Sequence, residues 1–320
     1  LRMRVYSASA VEAALETPAL VEQLRDVFRS QITVPPRQHY SVPVGDAPAA
    51  TLLLMPAWQE TRYIGVKIVS VFPGNGKQGL PSVMGAYVLM SARTGEPLAM
   101  IDGRMLTLRR TAAASALAAK YLARADASRL LMIGTGALAP HLILAHAMVR
   151  PIREVVIWGR TPAKAEALAR SLTSRYLKIS ATTDLPAAVS GAHVISCATL
   201  SHEPLVRGEW LQPGQHLDLV GGFTPEMREA DDMAIERSRV YVDTPVALKE
   251  AGDIVRPLQS GVLVEKMIAG DLAELAQGRC HGRSFYNQIT LFKSVGTAIE
   301  DLGAAMLLFE STREERMTLR

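Results

Sequence analysis

The chain has 320 residues, a formal net charge of +4 at pH 7, and 48% hydrophobic but only 5% aromatic residues. This length allows two domains with substantial cores, and this composition is typical of a soluble globular enzyme. The basic residues are spread along the chain and are not interleaved with aromatic ones, which argues against a nucleic-acid partner. No apolar run approaches the roughly 20 residues of a membrane span and no signal-peptide pattern is recognisable, so we expect a cytoplasmic protein with no membrane partner.

The cysteines and histidines argue against two further classes. Cys197 and Cys280 form no Cys-x-x-Cys pair and no disulfide framework, which suits a reducing compartment. The seven histidines show no spacing typical of metal ligands. We therefore predict neither structural disulfides nor a metal site.

The first hundred residues predict helix followed by mostly antiparallel strands. An apolar face over residues 7–30 predicts one or two helices. Strands are predicted at Thr51–Met55 and Tyr63–Phe72, and Val83–Ser91 pairs with Pro97–Asp102 as a hairpin. This region is therefore expected to form an α+β domain.

The rest of the chain predicts strands that alternate with helices. An alanine-rich helix is predicted over Thr111–Ala125, another helix over Pro162–Ser174, and a last long helix from Leu291 to about Phe309. Six strands are predicted, at 129–133, 154–158, 177–181, 193–197, 215–220 and 239–242. Strands separated by helices imply an α/β domain with a doubly wound parallel sheet and right-handed crossovers.

The most informative motif is the glycine turn that ends the first of these strands. The buried strand Leu130–Ile133 runs into Gly134-Thr135-Gly136-Ala137-Leu138-Ala139, and an apolar helix follows from Ala137 to Val149. In a Rossmann fold, the first glycine permits the tight turn, the second lets the backbone approach a pyrophosphate, and the third small residue packs against the strand. The start of the helix offers N–H groups to the phosphates. The motif predicts a dinucleotide site, and the alternative is an ordinary glycine turn.

The end of the next strand favours NADP(H). NAD-specific domains carry an Asp or Glu about 20 residues after the glycines, where it binds the ribose 2′-hydroxyl. Here the strand ends in Trp158-Gly159-Arg160-Thr161, with no carboxylate at its tip. Arg160, with Thr161 and Lys164 within one turn, can bind a 2′-phosphate through charge-assisted hydrogen bonds. We predict NADPH as the cofactor, with NADH tolerated; a solvated surface arginine is the alternative.

Three cationic residues form a candidate anion site. Arg37 follows two prolines, Lys67 lies inside the apolar strand Ile64–Val69, and Arg110 directly precedes the alanine-rich helix. A buried ammonium is costly unless an anion pairs with it, so Lys67 needs either a carboxylate side chain or an anionic substrate. The same alternatives apply to Arg110 and Arg37.

These segments together resemble the ornithine cyclodeaminase/μ-crystallin family over nearly the whole chain. The residues that carry the resemblance are Met55-Pro56-Ala57, Gly65-Val66-Lys67, Leu106–Ala113, Gly134-Thr135-Gly136, Trp158–Thr161, Val220-Gly221-Gly222 and Lys293–Gly296. The resemblance implies a Rossmann-type dinucleotide-binding domain, here 113–291. It also implies a homodimer and a substrate-binding and dimerisation domain built from 1–112 and 292–320.

The resemblance further implies the site residues. The substrate carboxylate would be bound by Arg37, Lys67 and Arg110. The cofactor would be bound by Thr111, the loop Gly134-Thr135-Gly136-Ala137-Leu138, Arg160, Cys197-Ala198-Thr199, Val220 and Ser294.

Two departures from the cyclodeaminase pattern favour a reductase. Cyclodeaminases of this family look as if they need an acidic residue directly after the Gly-Gly of the late strand, where this chain has Phe223. They also carry a glutamate two residues before the Met-Pro, where this chain has Leu53. Both changes remove carboxylates that could handle protons during ammonia release. The segment Leu217–Pro225 is similar to that of the bacterial Δ1-pyrroline-2-carboxylate/Δ1-piperideine-2-carboxylate reductases in the family.

We therefore expect NAD(P)H-dependent reduction of a cyclic ketimine carboxylate to L-proline or L-pipecolate. The cations would hold the carboxylate so that C2 faces the nicotinamide. Lys67 is the candidate acid, because desolvation beside an arginine lowers the pKa of its ammonium. The alternatives are an ornithine cyclodeaminase or alanine dehydrogenase on the same fold, and a non-catalytic NADPH-dependent protein that binds a small ligand.

Other polar residues near these motifs are not counted as catalytic. Asp218 can face the site or support its strand. Asp243 and Asp253, at a strand end and in a turn, are interpreted as structural, and Cys197 as a packing residue.

Overall fold

The computed structural model describes residues 3–45, 47–172 and 175–318. The chain forms two compact units: unit 1 comprises Leu1–Thr111 and Thr297–Arg320, and unit 2 comprises Ala112–Gly296. The segment 292–296 thus lies in unit 2, although it was expected in the substrate-binding domain. The reason is that its first residues complete a strand of the unit 2 sheet.

The described residues form fourteen strands and eleven α-helices. The strands are β1 (Arg4–Tyr6), β2 (Gln38–Val44), β3 (Ala47–Gln59), β4 (Tyr63–Val71), β5 (Val83–Ser91), β6 (Pro97–Asp102), β7 (Arg129–Ile133), β8 (Glu154–Trp158), β9 (Lys178–Ala181), β10 (Val194–Cys197), β11 (His216–Leu219), β12 (Arg239–Val242), β13 (Ile268–Asp271) and β14 (Thr290–Lys293). The helices are α1 (Ala8–Ala14), α2 (Thr17–Arg29), α3 (Gly103–Leu122), α4 (Ala139–Val149), α5 (Pro162–Ser171), α6 (Leu185–Gly191), α7 (Asp232–Glu236), α8 (Ala247–Glu250), α9 (Gly252–Ser260), α10 (Leu272–Gln277) and α11 (Ala298–Thr318).

Unit 1 is built on a six-stranded sheet in the order β1-β6-β5-β4-β3-β2. Neighbouring strands are antiparallel, except that β1 and β6 are parallel. The predicted strands and the hairpin are therefore confirmed. The sequence did not predict β1 or β2, because β1 has three residues and β2 is mostly polar and contains a proline.

The two faces of the unit 1 sheet differ in exposure. Gly65 and Lys67 on β4 and Tyr87 and Leu89 on β5 lie on a buried inner face, against which α11 packs. The opposite face is apolar, yet its residues are exposed or half-buried. We call it the outer sheet face, and it comprises Leu52, Leu54, Pro56, Trp58, Ile64, Val66, Ile68, Met84, Ala86, Val88, Met90 and Met100.

The helices of unit 1 bury apolar stripes. Along α2, one stripe is buried, and α11 packs against this helix. The stripe consists of Leu20, Val21, Leu24, Val27 and Phe28. Its spacing of three and four residues is the reason that residues 7–30 were predicted as helical.

Unit 2 contains an eight-stranded, wholly parallel sheet in the order β13-β12-β14-β11-β10-β7-β8-β9. The chain winds outward from β7 to β9, then returns to β10 on the other side of β7. All six predicted strands are present, which confirms the doubly wound α/β fold. The carboxyl ends of β7 and β10 therefore flank the point at which the winding reverses, where such sheets bind ligands.

Two helix predictions were wrong at their starts. The last helix begins at Ala298 rather than Leu291, because Thr290–Lys293 is a strand between β11 and β12. A short apolar run that is buried on both sides has no periodicity to separate strand from helix. The alanine-rich helix begins at Gly103, where Asp102 caps it by accepting the N–H of Met105 at 2.7 Å. Arg110 therefore lies inside α3 and does not precede it.

Smaller differences from the prediction concern the start of α4 and the end of α5. The first helix of the dinucleotide motif begins at Ala139, not Ala137, so the loop between strand and helix is longer than expected. The helix predicted over Pro162–Ser174 ends at Ser171, and residues 173–174 lie outside the described residues. Within the described ranges, no helix is both long and apolar enough to cross a lipid bilayer.

Candidate active site

Unit 1 contains a buried group of four charged residues, which we call the Lys67 cluster: Lys67, Arg110, Glu300 and Asp301. The Lys67 Nζ atom lies 3.0 and 2.9 Å from the two carboxylate oxygens of Asp301. The Arg110 guanidinium donates to Asp301 through Nε at 3.0 Å and to Glu300 through a second nitrogen. Lys67 is only 3% exposed and Arg110 only 5%. Two of the three predicted cations are thus brought together, around one shared carboxylate.

The environment of this cluster changes the protonation of its members. Burial, opposed by the charge of Asp301 and reinforced by that of Arg110, lowers the pKa of Lys67 to about 8. Burial pushes the pKa of Asp301 upward, but Arg110 and Lys67 outweigh that effect, so its pKa lies below the ordinary value. Near neutral pH the cluster therefore holds an ionised carboxylate and a lysine close to its titration point.

The structure provides Lys67 with a carboxylate side chain as its counter-ion. This was one of the two alternatives left open by the sequence. Binding of a substrate carboxylate by Lys67 and Arg110 stays a prediction. Arg37 lies just before β2 and is half-buried, and its part in an anion site also stays a prediction.

A tyrosine beside Lys67 was missed by the sequence analysis. Tyr87 pairs with Lys67 across β5 and β4, is 1% exposed, and its hydroxyl has no hydrogen-bond partner among the described residues. The hydroxyl occupies the space above Gly65, where a Cβ would lie 1.8 Å from it. Burial raises the pKa of this phenol well above its ordinary value, so it stays protonated and can only donate or accept a hydrogen bond. The signal in the sequence was Gly65, which leaves room for the ring.

In unit 2, the glycine turn has the geometry that a dinucleotide site requires. Gly134 has φ +120°, and a Cβ there would lie 2.5 Å from the carbonyl oxygen of Ala198. Gly136 faces open space, because no heavy atom lies within 4 Å of its Cβ position. No side chain caps the start of α4 after Leu138. Open space at Gly136 beside the start of a helix suits a phosphate group.

The loop after β8 lies directly beside this turn. A Cβ on Gly159 would lie 2.8 Å from the Thr135 side chain, so a glycine lets the two loops touch. Arg160, Thr161 and Lys164 follow and are all exposed. Arg160 makes no ion pair or hydrogen bond with any described residue. A contact between Arg160 and the adenosine ribose stays a prediction.

Most of the remaining predicted cofactor residues lie at the ends of three neighbouring strands, at the same edge of the sheet. The N–H of Ala198, after β10, donates to Ile133 at 2.9 Å, and the N–H of Val220, after β11, donates to Cys197 at 2.8 Å. The N–H of Ser294, after β14, donates to Leu219 at 3.1 Å. Thr111 lies in α3, as the last residue of the first segment of unit 1. Contact between these residues and a cofactor stays a prediction.

Cys197 and Asp218 are both fully buried and stabilise the unit 2 sheet. Burial raises the pKa of the Cys197 thiol well above its ordinary value, so the residue is not a thiolate. Asp218 accepts hydrogen bonds from Ser115 at 3.0 Å and Ser196 at 2.7 Å, and lies 3.0 Å from His146 Nε2. The side chain of Asp218 thus supports β11 from within the core.

A second buried charge cluster lies at the carboxyl ends of the unit 2 strands. We call it the Glu229 cluster; its members, Glu229, Asp253 and Lys293, are all 0% exposed. Lys293 Nζ lies 3.2 Å from an Asp253 oxygen and 3.8 Å from a Glu229 oxygen. Burial raises the pKa of Glu229, and Lys293 partly opposes the shift. The sequence analysis missed Glu229 and treated Asp253 as structural.

The described residues bring no three His, Cys, Asp or Glu side chains into a metal-binding group. Unit 2 contains a Rossmann sheet with a glycine turn at its switch point. Unit 1 contains a lysine and an arginine around one carboxylate. These features define an α/β protein of the dinucleotide-binding class. The chain belongs to the ornithine cyclodeaminase/mu-crystallin family, whose model matches residues 2–316.

The curated relatives of the chain include reductases. It is 45% identical over 290 residues to protein SAR DEFICIENT 4 of Arabidopsis thaliana, which covers 88% of each chain. It is 37% identical over 313 residues to Delta(1)-pyrroline-2-carboxylate reductase of Colwellia psychrerythraea, covering 96% of this chain and 99% of that one.

Solved structures confirm the fold. The Thermococcus litoralis Delta(1)-pyrroline-2-carboxylate reductase, solved with NADH and L-proline, has a TM-score of 0.91 and 34% identity over 98% of each chain. An archaeal alanine dehydrogenase dimer with bound NAD has a TM-score of 0.90 and 29% identity, covering 98% of this chain and 97% of that one.

Proposed function

We propose that the protein is an NAD(P)H-dependent imine reductase that converts Δ1-pyrroline-2-carboxylate and Δ1-piperideine-2-carboxylate to L-proline and L-pipecolate. The observation that carries this proposal is the Lys67 cluster, which holds a cation pair and a lysine with a pKa of about 8 in one buried place. Similarity to reductases that span the whole chain supports the same activity. The corresponding similarity to an alanine dehydrogenase is weaker in sequence.

The residues of unit 2 fit a nicotinamide dinucleotide. The open space at Gly136, beside the positive dipole end of α4, forms a cradle for the pyrophosphate. Arg160 is exposed and has no described partner, so it is available to a ribose 2′-phosphate, which favours NADPH over NADH. The cofactor would supply the hydride, and the chain's own residues would bind the substrate and manage the proton.

Lys67 in unit 1 can both bind the substrate and supply the proton. An ammonium carries three N–H donors, and among the described residues Asp301 is the only one that accepts a hydrogen bond from Lys67. The remaining donor capacity can serve a substrate carboxylate or the ketimine nitrogen. With a pKa of about 8, Lys67 can release a proton near neutral pH, whereas an ordinary lysine would hold it. Asp301 holds Lys67 and Arg110 side by side, because it accepts hydrogen bonds from both.

The residues that replace the cyclodeaminase carboxylates agree with a reductase. Leu53 on β3 is half-buried, and Phe223, after the two glycines, is 49% exposed. Neither side chain can take a proton from a substrate amine, as ammonia release requires. Reduction needs only an anchored carboxylate, a hydride donor and a protonated C=N bond.

The direct test follows the absorbance of NADPH and NADH with each ketimine. We expect consumption of NADPH with one or both ring sizes, and formation of the corresponding amino acid. Absence of turnover between mildly acidic and neutral pH would overturn the proposal and favour a ligand-binding protein. Ammonia release from ornithine would instead identify a cyclodeaminase.

Substitutions in unit 1 test the roles of the two cations. Lys67→Ala and Arg110→Ala should each lower kcat/KM at least about tenfold, or about 1.4 kcal/mol, with the cofactor affinity unchanged. Arg109→Ala is the matched control, because Arg109 is the neighbouring arginine of α3 and donates to the Leu15 carbonyl instead. Loss of activity in the control alone would contradict the assignment.

We further propose that the outer sheet face pairs with a second copy of the chain. This face is apolar over four adjacent strands and carries exposed residues such as Ile68 (38%) and Met100 (41%). Contiguous apolar surface of this kind is typical of a protein interface. A homologous alanine dehydrogenase is a dimer, which supports a homodimer here. Ile68→Asp should convert the dimer to monomer in sedimentation velocity, whereas an unchanged mass would contradict this interface.

A cytoplasmic location also stays a prediction.

A further inference from the structure

The Glu229 cluster joins the carboxyl ends of three strands that are neighbours in the unit 2 sheet. The strands lie in the order β14-β11-β10. Thr199 follows β10, Gly221 follows β11, and Lys293 is the last residue of β14. A tether between them therefore fixes the edge at which parallel α/β sheets bind their ligands.

Glu229 bridges two of these strand ends with one carboxylate. One oxygen accepts the N–H of Thr199 at 2.7 Å and its hydroxyl at 2.9 Å. The other oxygen accepts the N–H of Gly221 at 2.7 Å and that of Gly222 at 3.3 Å. Charge-assisted hydrogen bonds of this kind are stronger than neutral ones. The two loops are thus held at a fixed separation.

The close approach of the loops requires glycine at residue 221. A Cβ there would lie 1.9 Å from the Thr199 carbonyl oxygen and 2.5 Å from a Glu229 oxygen. The loops after β10 and β11 therefore touch through main-chain atoms. Glu229 and Gly221 act together, because the carboxylate reaches both loops only at this separation.

Asp253 and Lys293 hold Glu229 in place. One Asp253 oxygen accepts the N–H groups of Glu229 and Ala230 at 2.8 and 3.0 Å. The other Asp253 oxygen lies 3.2 Å from Lys293 Nζ. Both oxygens of Glu229 are consequently aimed at the strand ends, and the lysine offsets part of the buried negative charge.

The location of these contacts indicates a role beyond stability. Buried charges are weak sources of stability, since apolar residues of similar volume often stabilise a protein as well or better. What the carboxylate adds is the orientation of N–H groups and loops. Its contacts fall on or next to Thr199, Val220 and Ser294, the residues of this edge that are predicted to bind the cofactor.

We infer that Glu229 is a positioning residue for the nicotinamide cofactor. It locks the ends of β10 and β11 so that Thr199 and Val220 stand in the arrangement that binds the dinucleotide. Asp253 and Lys293 orient Glu229. The inference rests on the proposed function for the identity of the cofactor, but it concerns binding and not the reduced substrate.

The test compares two variants of similar structural cost. Glu229→Gln preserves shape, but its amide oxygen can accept from only one loop, and its NH2 group faces the donors of the other. Asp231→Ala is the control, because Asp231 accepts the N–H groups of Gly208 and Ala234, both at 2.8 Å, at the start of α7. Each variant is titrated with NADPH and with NADH by cofactor fluorescence, without substrate, after circular dichroism confirms the fold.

We expect Glu229→Gln to raise the Kd of the cofactor about tenfold or more, as loss of hydrogen bonds to a charged group implies. In turnover assays, KM for the cofactor should rise by a similar factor, while KM for the ketimine at saturating cofactor stays unchanged. Asp231→Ala should lower the Tm and leave cofactor affinity as in the wild type. Equal cofactor affinity in Glu229→Gln and the wild type would overturn the inference.

A second variant guards against failure of Glu229→Gln to fold. Asp253→Asn keeps both acceptor bonds to the main chain and alters only the contact with Lys293. Asp253 is not a predicted cofactor contact, so a weaker cofactor affinity in this variant supports the inference, and an affinity equal to that of the wild type would overturn the role of Asp253 and Lys293 in orienting Glu229. A weakened cofactor complex in a protein that reduces no ketimine would leave the inference standing and reject the proposed function.

Discussion

The Lys67 cluster and the Glu229 cluster bury charge in two different ways. In the Lys67 cluster, side chains of opposite charge face each other, and Asp301 serves both cations. In the Glu229 cluster, the carboxylates are held mainly by main-chain N–H groups, and one lysine lies beside them. The first arrangement contains a lysine that can exchange a proton near neutral pH. The second contains fixed contacts that determine where loops lie.

The largest effect is expected from removal of the carboxylate that the two cations share. Asp301→Ala leaves Lys67 and Arg110 buried with Glu300 as their remaining carboxylate, and breaking a buried ion pair in this way costs about 3–5 kcal/mol. The free energy of unfolding from urea titration measures this loss. A loss of unfolding free energy below about 1 kcal/mol would mean that water reaches both cations. Ion pairing between buried side chains would then not distinguish the Lys67 cluster from the Glu229 cluster.

A smaller effect should follow from filling the space at the Glu229 cluster. Gly221→Ala places a Cβ against the main chain of Thr199, and overpacking of this kind typically costs about 1–3 kcal/mol. Gly136→Ala is the matched control, because nothing lies within 4 Å of that Cβ position. The control should keep the Tm of the wild type but weaken NADPH binding, since its methyl group enters the pyrophosphate cradle. A Tm loss in the control as large as in Gly221→Ala would reject this distinction.

The pH dependence of the reaction tests the mobile proton of the Lys67 cluster. If Lys67 donates the proton, kcat/KM should fall above a pH of about 8, by up to about tenfold (about 1.4 kcal/mol) per further unit. In Lys67→Arg, whose guanidinium keeps its proton, the remaining activity should not fall in this range. A decline that persists unchanged in this variant would assign the titration to the substrate.

Stability should change in the opposite direction over the same interval. The folded pKa of Lys67 is about 8 and its unfolded value is 10.5, so between these values the unfolded chain binds more protons. The contribution of Lys67 to the free energy of unfolding should therefore rise with pH from about 8 to 10.5. Comparison of the wild type with Lys67→Met isolates this contribution.

The smallest effect is expected at an exposed ion pair of unit 1. Arg62 and Glu310 lie 2.8 Å apart, but their side chains are 48% and 38% exposed. Water competes for both charges, so Glu310→Gln should change the free energy of unfolding by less than about 1 kcal/mol. A change as large as that of Asp301→Ala would show that distance, rather than burial, sets the strength of these pairs.

The sequence predicted most of the fold because its signals are local. The strands of unit 2 are short apolar runs bounded by turns, and the glycine turn after β7 has its own spacing. The assignment of Thr290–Lys293 to a helix failed because an apolar strand buried on both sides shows no alternation. That error also hid the start of α11, where Glu300 and Asp301 lie in the first turn.

The candidate site was predictable only in part. Lys67 was recognisable as an ammonium inside an apolar strand, but its partner Asp301 lies 234 residues away in the sequence. Glu229 carried no signal, because its partners are mostly main-chain N–H groups, which every residue except proline possesses. Tyr87 was hidden for a similar reason, since its environment depends on the pairing of β4 with β5.

The apolar outer sheet face has a consequence for the life of the newly made polypeptide. Once unit 1 has folded, this face is an exposed apolar surface that is poorly hydrated. Exposed apolar surfaces of other proteins can associate with it. An exposed apolar surface of this kind favours aggregation, and more so as the concentration of the protein rises. The proposed homodimer would cover this surface and remove that risk.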